Sequence, residues 1–344
     1  MDYAQGNQET LGNQSFFLMP WREGAEDHPV AQRMREIAPL RFYRDPNERE
    51  GILQEERTDF FYCIKNGFND GVFSRRIPTG IHAIFRESEF HGNIYAYVSP
   101  WLSDVMSYEK APWVPHMVRL ADEAGCLRTE VGIPKDAVVF GRHGGDDSFD
   151  IPWVQKTVVE TARFHPEIWF LFLNTRKFRG ADALPNIRFF PATADLRQKR
   201  RFLNTCDAML HGRQRGETFG LSCLEFATLG KPVLTFGGSP EVAHLEILED
   251  SAVVYHNTSE LRKLMENRGR WSVVGNRTAG EGGRQAEVSG RKSVVGGQGL
   301  EVGCGKPQAE THRQHFGYGR TGDSKFDDYQ PEAVMRKFQE VFLS

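Results

Sequence analysis

The sequence has 344 residues, a formal net charge of −3 and 39 % hydrophobic residues, which allows two medium domains with cores of their own and gives no global basic character to hold nucleic acid. Its five cysteines are an odd number without metal-ligand spacing, so they read as buried free thiols of a reducing compartment. No apolar run approaches a membrane span and no signal-peptide core opens the chain; a cytoplasmic protein is expected, with peripheral membrane contact left open.

The first part alternates strand and helix. Residues 15–19, 40–43, 59–64, 80–85 and 94–98 are short and apolar, as strands are. Residues 29–37 and 47–56 are helical in pattern. Residues 65–71 form a turn-rich loop. The alternation predicts an α/β sheet. His82 falls at the end of a strand, where α/β sites form; the bland reading of a lone histidine is a structural or surface residue. Residues 112–120 read as a linker. A strand at 137–140 then leads into Gly141-Arg142-His143-Gly144-Gly145. Helix 151–164, strands 168–173 and 186–190, basic helix 196–204 and strand 208–210 follow. With 233–236 these predict a Rossmann-like parallel sheet of about five or six strands.

Between the last two strands, residues 216–234 read as a loop, a helix and a buried strand. Gly216 and Gly220 permit a tight turn, and Thr218 is the expected helix N-cap. Gly230 stops the helix and Pro232 prevents its resumption. Glu217 lies in the loop and Glu225 about two turns into the helix. A helix start offers free N–H groups to a phosphate, and carboxylates accept hydrogen bonds from sugar hydroxyls. Together these describe a nucleotide sugar. The alternative for two such glutamates is a solvated helix face.

The run Glu217-Thr-Phe-Gly-Leu-Ser-Cys-Leu-Glu225-Phe-Ala-Thr-Leu-Gly-Lys-Pro-Val resembles the Glu-x7-Glu signature of retaining GT-B glycosyltransferases, above all family 4. Asn204-Thr-Cys-Asp207-Ala-Met-Leu looks like the strand just before that loop. Gly237-Gly238-Ser239-Pro240-Glu241-Val242 is similar to the family's "G-G-x-P-E-x-V". The first part looks like a reduced N-domain, because Met1-Asp-Tyr-Ala resembles the middle of the family's first helix. This and residues 65–71 resemble a short algal and large-virus type.

The resemblance implies an α/β, GT-B-like fold: a truncated acceptor-side α/β domain (1–112) and a Rossmann-like donor-binding domain (113–266). It implies transfer of a sugar from a nucleotide-sugar donor to an unknown glycan, lipid or protein acceptor with retention of configuration. No metal and no cofactor are required in such enzymes, because cationic side chains and a helix start carry the charge. Glu217 would meet the donor sugar, Glu225 the ribose, and Arg142 with the amides around Phe219, Gly220 and Leu221 the diphosphate. His82 would face the reacting centre from the other domain. The family's lysine five residues after the arginine is Asp147 here, so Lys177 is the expected substitute, with Arg213 and Arg215 as further cations. That departure also supports a rival reading, a catalytically degenerate nucleotide-sugar-binding protein. A Rossmann oxidoreductase is disfavoured, since no Gly-x-Gly-x-x-Gly follows a first strand.

Residues 267–322 are rich in Gly, Arg, Ser and Gln without apolar period, a composition that predicts a disordered insertion. They lack the interleaved aromatics of an RNA-binding segment. The end of the chain (323–344) resumes a helix. Its apolar positions, Val334, Met335, Phe338, Val341 and Phe342, predict one buried face.

Overall fold

The computed structural model describes residues 1–267 and 324–344. All but the first residue of the expected insertion therefore lie outside the described residues. The first region runs α1 (Asp2–Glu9), β1 (Phe17–Pro20), α2 (Pro29–Ile37), β2 (Leu40–Tyr43), α3 (Pro46–Glu55), β3 (Phe61–Lys65), β4 (Thr79–Ala83), β5 (Ile94–Tyr97) and α4 (Pro100–Ser107). Helix starts follow the chemistry of the sequence. Asp45 accepts from Asn47 and Glu48 amides at the start of α3, and Ser99 from the Leu102 amide at the start of α4. Each cap is followed by proline, whose missing N–H costs nothing there.

The five strands do not form the one sheet expected of them. Among the described residues β1 pairs only with β2, and β3, β4 and β5 form a separate parallel sheet in that order. β1 and β2 are four residues each and mostly half-buried, so little apolar surface drives them into a wider sheet.

After the short α5 (Arg128–Val131), the chain builds β6 (Val138–His143), α6 (Pro152–Phe164), β7 (Ile168–Leu173), β8 (Ile187–Phe190), α7 (Leu196–Thr205), β9 (Ala208–His211), β10 (Gly216–Glu217), α8 (Leu221–Ala227), β11 (Val233–Phe236), β12 (Glu241–Val242), α9 (Ala243–Leu248), β13 (Ala252–Tyr255) and α10 (Thr258–Glu266). Six of these strands form one parallel sheet in the order β13-β11-β9-β6-β7-β8. Helices cover both faces, which is why its strands are continuous apolar runs rather than alternating ones. Phe170 and Phe172 of β7 pack with Val154 and Val158 of α6 and Leu261 of α10; Leu171, between them, packs with Phe202 and Leu203 of α7 on the other face.

The chain ends in α11 (Pro331–Phe338) and a π-helical turn over Gln339–Leu343. Val334, Met335, Phe338 and Phe342 are buried with Tyr3, Ala96, Val114 and Met117, as the apolar period predicted. Among the described residues, Cys63, Cys206 and Cys223 are buried free thiols, as expected, but Cys126 is disulfide-bonded, against the expectation of free thiols throughout. No helix of the described residues is long and apolar enough to cross a membrane.

Candidate active site

The sheet reverses its direction of growth between β6 and β9. The chain adds β7 and β8 on one side of β6, then returns to add β9, β11 and β13 on the other. In a parallel α/β sheet, the loops at the carboxyl ends of the strands flanking such a reversal diverge and leave a crevice. β6 ends at His143 and β9 at His211.

Both histidines meet one of the two glutamates. Glu225, on α8, is 2 % exposed. Lys199 Nζ of α7 contacts its Oε1 at 2.5 Å, and His143 Nε2 lies 3.0 Å from its Oε2, without the alignment of a hydrogen bond. Glu217, on β10, takes His211 Nε2 at 3.1 Å on Oε1 and Arg213 at 2.7 Å on Oε2. Each carboxylate thus faces one imidazole and one cation. Burial pushes both carboxyls up, but their neighbours outweigh it. His211 and then Arg213 hold Glu217 below its ordinary value, and His143 and Lys199 do the same for Glu225. Neither glutamate belongs to a solvated face.

The loop between them owes its shape to two glycines. Gly216 has φ +81° and pairs with Glu241; a Cβ there would stand 2.0 Å from the Glu241 carbonyl oxygen. Gly220 has φ +89° and its Cβ would stand 2.6 Å from His244 Cβ. Gly220, not Thr218, is the N-cap of α8, and no side chain caps this helix start. Thr218 is used otherwise: its hydroxyl donates to Ile84 O at 2.7 Å, while its own carbonyl accepts from Ser99 Oγ at 2.6 Å. Both partners belong to the first region, so this loop is one place where the two halves meet. The Phe219 ring is buried there, 5.1 Å from the His116 ring and 5.8 Å from Tyr329. Leu221 opens α8 beside the same core.

Arg142, on β6, is 3 % exposed. It donates to Ser148 Oγ at 2.5 Å, to Gly145 O at 3.1 Å and to Thr175 Oγ1. Burial lowers its pKa to about 10, against the pull of Glu217. The guanidinium therefore ties the loop after β6 to the loop after β7 and feels the nearer glutamate.

Two expected residues are not brought to this cluster. Lys177 is 62 % exposed at its side chain and pairs with Asp182 at 2.8 Å; it shares no ion pair with Glu217 or Glu225 among the described residues. The loop after β7 turns Phe178 into the core, and that sends its neighbour outward. His82 is fully buried among Tyr3, Tyr62, His116 and Phe342. Its Nδ1 meets Tyr62 Oη at 2.6 Å. Burial, then the neighbouring His116, lowers its pKa to about 3. His82 is the penultimate residue of β4, and its ring turns into this aromatic cluster.

Three site residues were missed in the sequence. Lys199 was read only as part of a basic helix, yet it lies four positions before the buried Leu203, on the inward face. His143 and His211 each end a strand beside the reversal, a signal that needs the strand order to be read.

Neither a protein-family model nor a curated protein sequence matches the chain. Solved structures do. WaaG, a glycosyltransferase involved in lipopolysaccharide biosynthesis, superimposes with a TM-score of 0.53 at 14 % identity, over 78 % of this chain and 88 % of that one. A glycosyltransferase from Rickettsia africae gives 0.53 at 8 % identity, over 77 % and 82 %. Anabaena HepE, in complex with UDP and glucose, gives 0.50 at 14 % identity, over 73 % and 89 %. At these identities the likeness is one of fold. The chain has the parallel α/β architecture of the GT-B glycosyltransferases.

Proposed function

We propose that the chain is a glycosyltransferase that moves a sugar from a nucleotide-sugar donor to an acceptor with retention of configuration. The observation that carries this reading is the pair of buried carboxylates at the sheet's reversal, each backed by an imidazole and a cation. A nucleotide sugar presents two kinds of group to such a site. Its hydroxyls need acceptors held in fixed directions, which ionised Glu217 and Glu225 supply. Its diphosphate needs positive charge, which grows in demand as the sugar departs. Arg142, Arg213 and Lys199 supply that charge, together with the uncapped start of α8 at Leu221 and the Phe219–Gly220 loop. HepE, of similar fold, is known with UDP and glucose bound, which supports a uridine nucleotide as the first donor to try.

In this reading Glu225 takes the ribose and Glu217 the transferred sugar, as the family resemblance implies. The Arg142 guanidinium stabilises the leaving diphosphate and keeps the two loops that frame it in register. His82 contributes packing under the crevice rather than proton transfer. Lys177 is outside the site.

One observation favours a second reading, a nucleotide-sugar-binding protein without turnover. The guanidinium hydrogen bonds of Arg142 go to protein oxygens, and Asp147 stands where the family places a lysine. Incubation with a panel of nucleotide sugars decides between them. Release of nucleoside diphosphate above background, with a product of unchanged anomeric configuration, supports the transferase. Binding by calorimetry with no release supports the second reading, and no binding removes both.

A further inference from the structure

Behind Glu217 runs a line of three buried polar side chains. His211 Nε2 faces Glu217 Oε1 at 3.1 Å, His211 Nδ1 is 2.9 Å from Thr235 Oγ1, and Thr235 Oγ1 is 3.0 Å from His244 Nε2. His211 is 3 % exposed, and Thr235 and His244 are fully buried. The line stops at His244, whose Nδ1 has no hydrogen-bond partner.

The direction of these hydrogen bonds is fixed at both ends. An ionised carboxylate only accepts, so His211 Nε2 carries a hydrogen. The other ring nitrogen, Nδ1, then accepts from the Thr235 hydroxyl, which uses that hydroxyl's one hydrogen. Thr235 Oγ1 is left to accept, so His244 carries its hydrogen on Nε2. What remains is a bare lone pair on His244 Nδ1. The reversed run would put an N–H there with nothing to accept it, and orphaned buried N–H groups are rarer than underused acceptors. Burial, with His211 adding to it, lowers the pKa of His244 to about 3, so this ring does not ionise near neutrality and reverse the run.

We propose that Thr235 and His244 are positioning residues that lock the tautomer of His211, so that His211 always presents an N–H to Glu217 and keeps that carboxylate aimed into the crevice. A tautomer is chosen by the bond the other ring nitrogen makes, and here the choice is enforced by a residue two bonds removed from the carboxylate. The catalytic consequence rests on the reading of Glu217 as the group that meets the donor sugar; the lock itself does not.

Nitrogen-15 spectra of the histidines in the ligand-free full chain test it directly. In the wild type, His211 should show a protonated Nε2 and a bare Nδ1. Glu217→Gln, whose amide can accept or donate, should keep that single form because Thr235 still donates to Nδ1; adding Thr235→Val should then give a mixture of tautomers, and Thr235→Ser in its place should restore the single form. A wild-type His211 protonated on Nδ1, or a mixture already present in Glu217→Gln, overturns the lock. With a donor that is turned over, Thr235→Val should lower kcat about 10-fold or more with little change in KM, as loss of a ligand-orienting partner does, and Thr235→Ser should recover most of it. Spectra that show the lock in a protein with no turnover would leave the lock standing and remove the transferase reading. Turnover without the lock would do the reverse.

Discussion

The two halves of the molecule bury their sheets by different means. The six-stranded half is closed by helices that come from its own stretch of chain, and all six residues of β7 are buried. The first half divides five strands into a pair and a triplet, and Ile64 of β3 stays 45 % exposed. Its cover is lent by the far end of the chain, where Phe338 and Phe342 pack on Tyr3 and Tyr62. The glutamate pair sits entirely on the self-contained half. Ile81, Tyr97 and Leu102 of the first half share a core with Leu171 and Phe202 of the second, so the halves are joined, yet each prediction below acts first on one of them.

The largest effect should come from removing residues 331–344. Burying a large apolar side chain is worth roughly 1.5–3 kcal/mol, and Val334, Met335, Phe338 and Phe342 would all be lost from one face. The melting temperature should fall clearly, or the protein should aggregate. Hydrogen exchange should quicken in β3, β4 and β5 while β6, β7 and β9 stay protected; equal loss in both sheets would break the comparison.

Arg142→Ala comes next. Removing a preorganised donor to developing charge typically costs about 10²–10³-fold in turnover, and here two loops would also lose their tie. Arg142→Lys should recover only part, since an ammonium cannot reproduce the guanidinium fork. Turnover equal to wild type in Arg142→Ala would remove this residue from leaving-group stabilisation.

Glu225→Gln should weaken nucleotide-sugar binding by roughly 1.5–3 kcal/mol, the loss of a hydrogen bond to a charged group. Isothermal calorimetry on the folded variant reads this. Unchanged affinity would place the ribose elsewhere.

Acid should act on the same half. Both glutamates have native pKa values below the ordinary 4.5. A carboxyl depressed in the folded state contributes stability that is complete above its unfolded pKa and is lost as the pH falls through the native one. The denaturant midpoint should therefore drop as the pH falls below 4.5, and the drop should be shallower in a Glu217→Gln, Glu225→Gln double variant. Parallel curves would mean that neither carboxyl governs acid stability.

The smallest effect separates two lysines. Lys177→Ala should leave donor affinity and stability within about 0.5 kcal/mol, as exposed substitutions do. Lys199→Met should weaken donor binding measurably. The opposite ranking in one calorimetric series would restore Lys177 to the site.

Much of this was legible before the structure, for definite reasons. β7 was readable to the residue because a strand buried on both faces is an uninterrupted apolar run, and β11 because Gly230 and Pro232 mark where it can begin. The Glu217–Glu225 stretch was readable because Gly216, Gly220 and Gly230 mark its turns. Three features were not. Thr218 was taken for a cap by residue type, but the residue that caps a helix is set by backbone geometry, and Gly220 at positive φ holds that place. Lys177 is the cation in the loop after the next strand, the local substitute for the lysine missing at 147, while Lys199 reaches Glu225 across 26 positions. His82 does lie near the end of β4, but its ring packs among Tyr62, His116 and Phe342, which its position along the strand does not show. Side chains that meet through tertiary packing leave no local period to read.

The two hydrogen bonds that join Thr218 to Ile84 and Ser99 carry a consequence for motion. Any hinge between the halves must break both, together with the Arg33–Ala194 hydrogen bond and the apolar core that the halves share. At about 0.5–1.5 kcal/mol each, the two Thr218 bonds add about 1–3 kcal/mol to the bias toward closure, or about 5–150-fold to the ratio of closed to open forms. The same loop carries Glu217, so a donor that pulls on this carboxylate also pulls on the latch. Opening is then not a free fluctuation that precedes binding but an equilibrium the ligand itself can shift, and Thr218→Val, which lacks one of the two bonds, should bind donor with a faster association rate than the wild type.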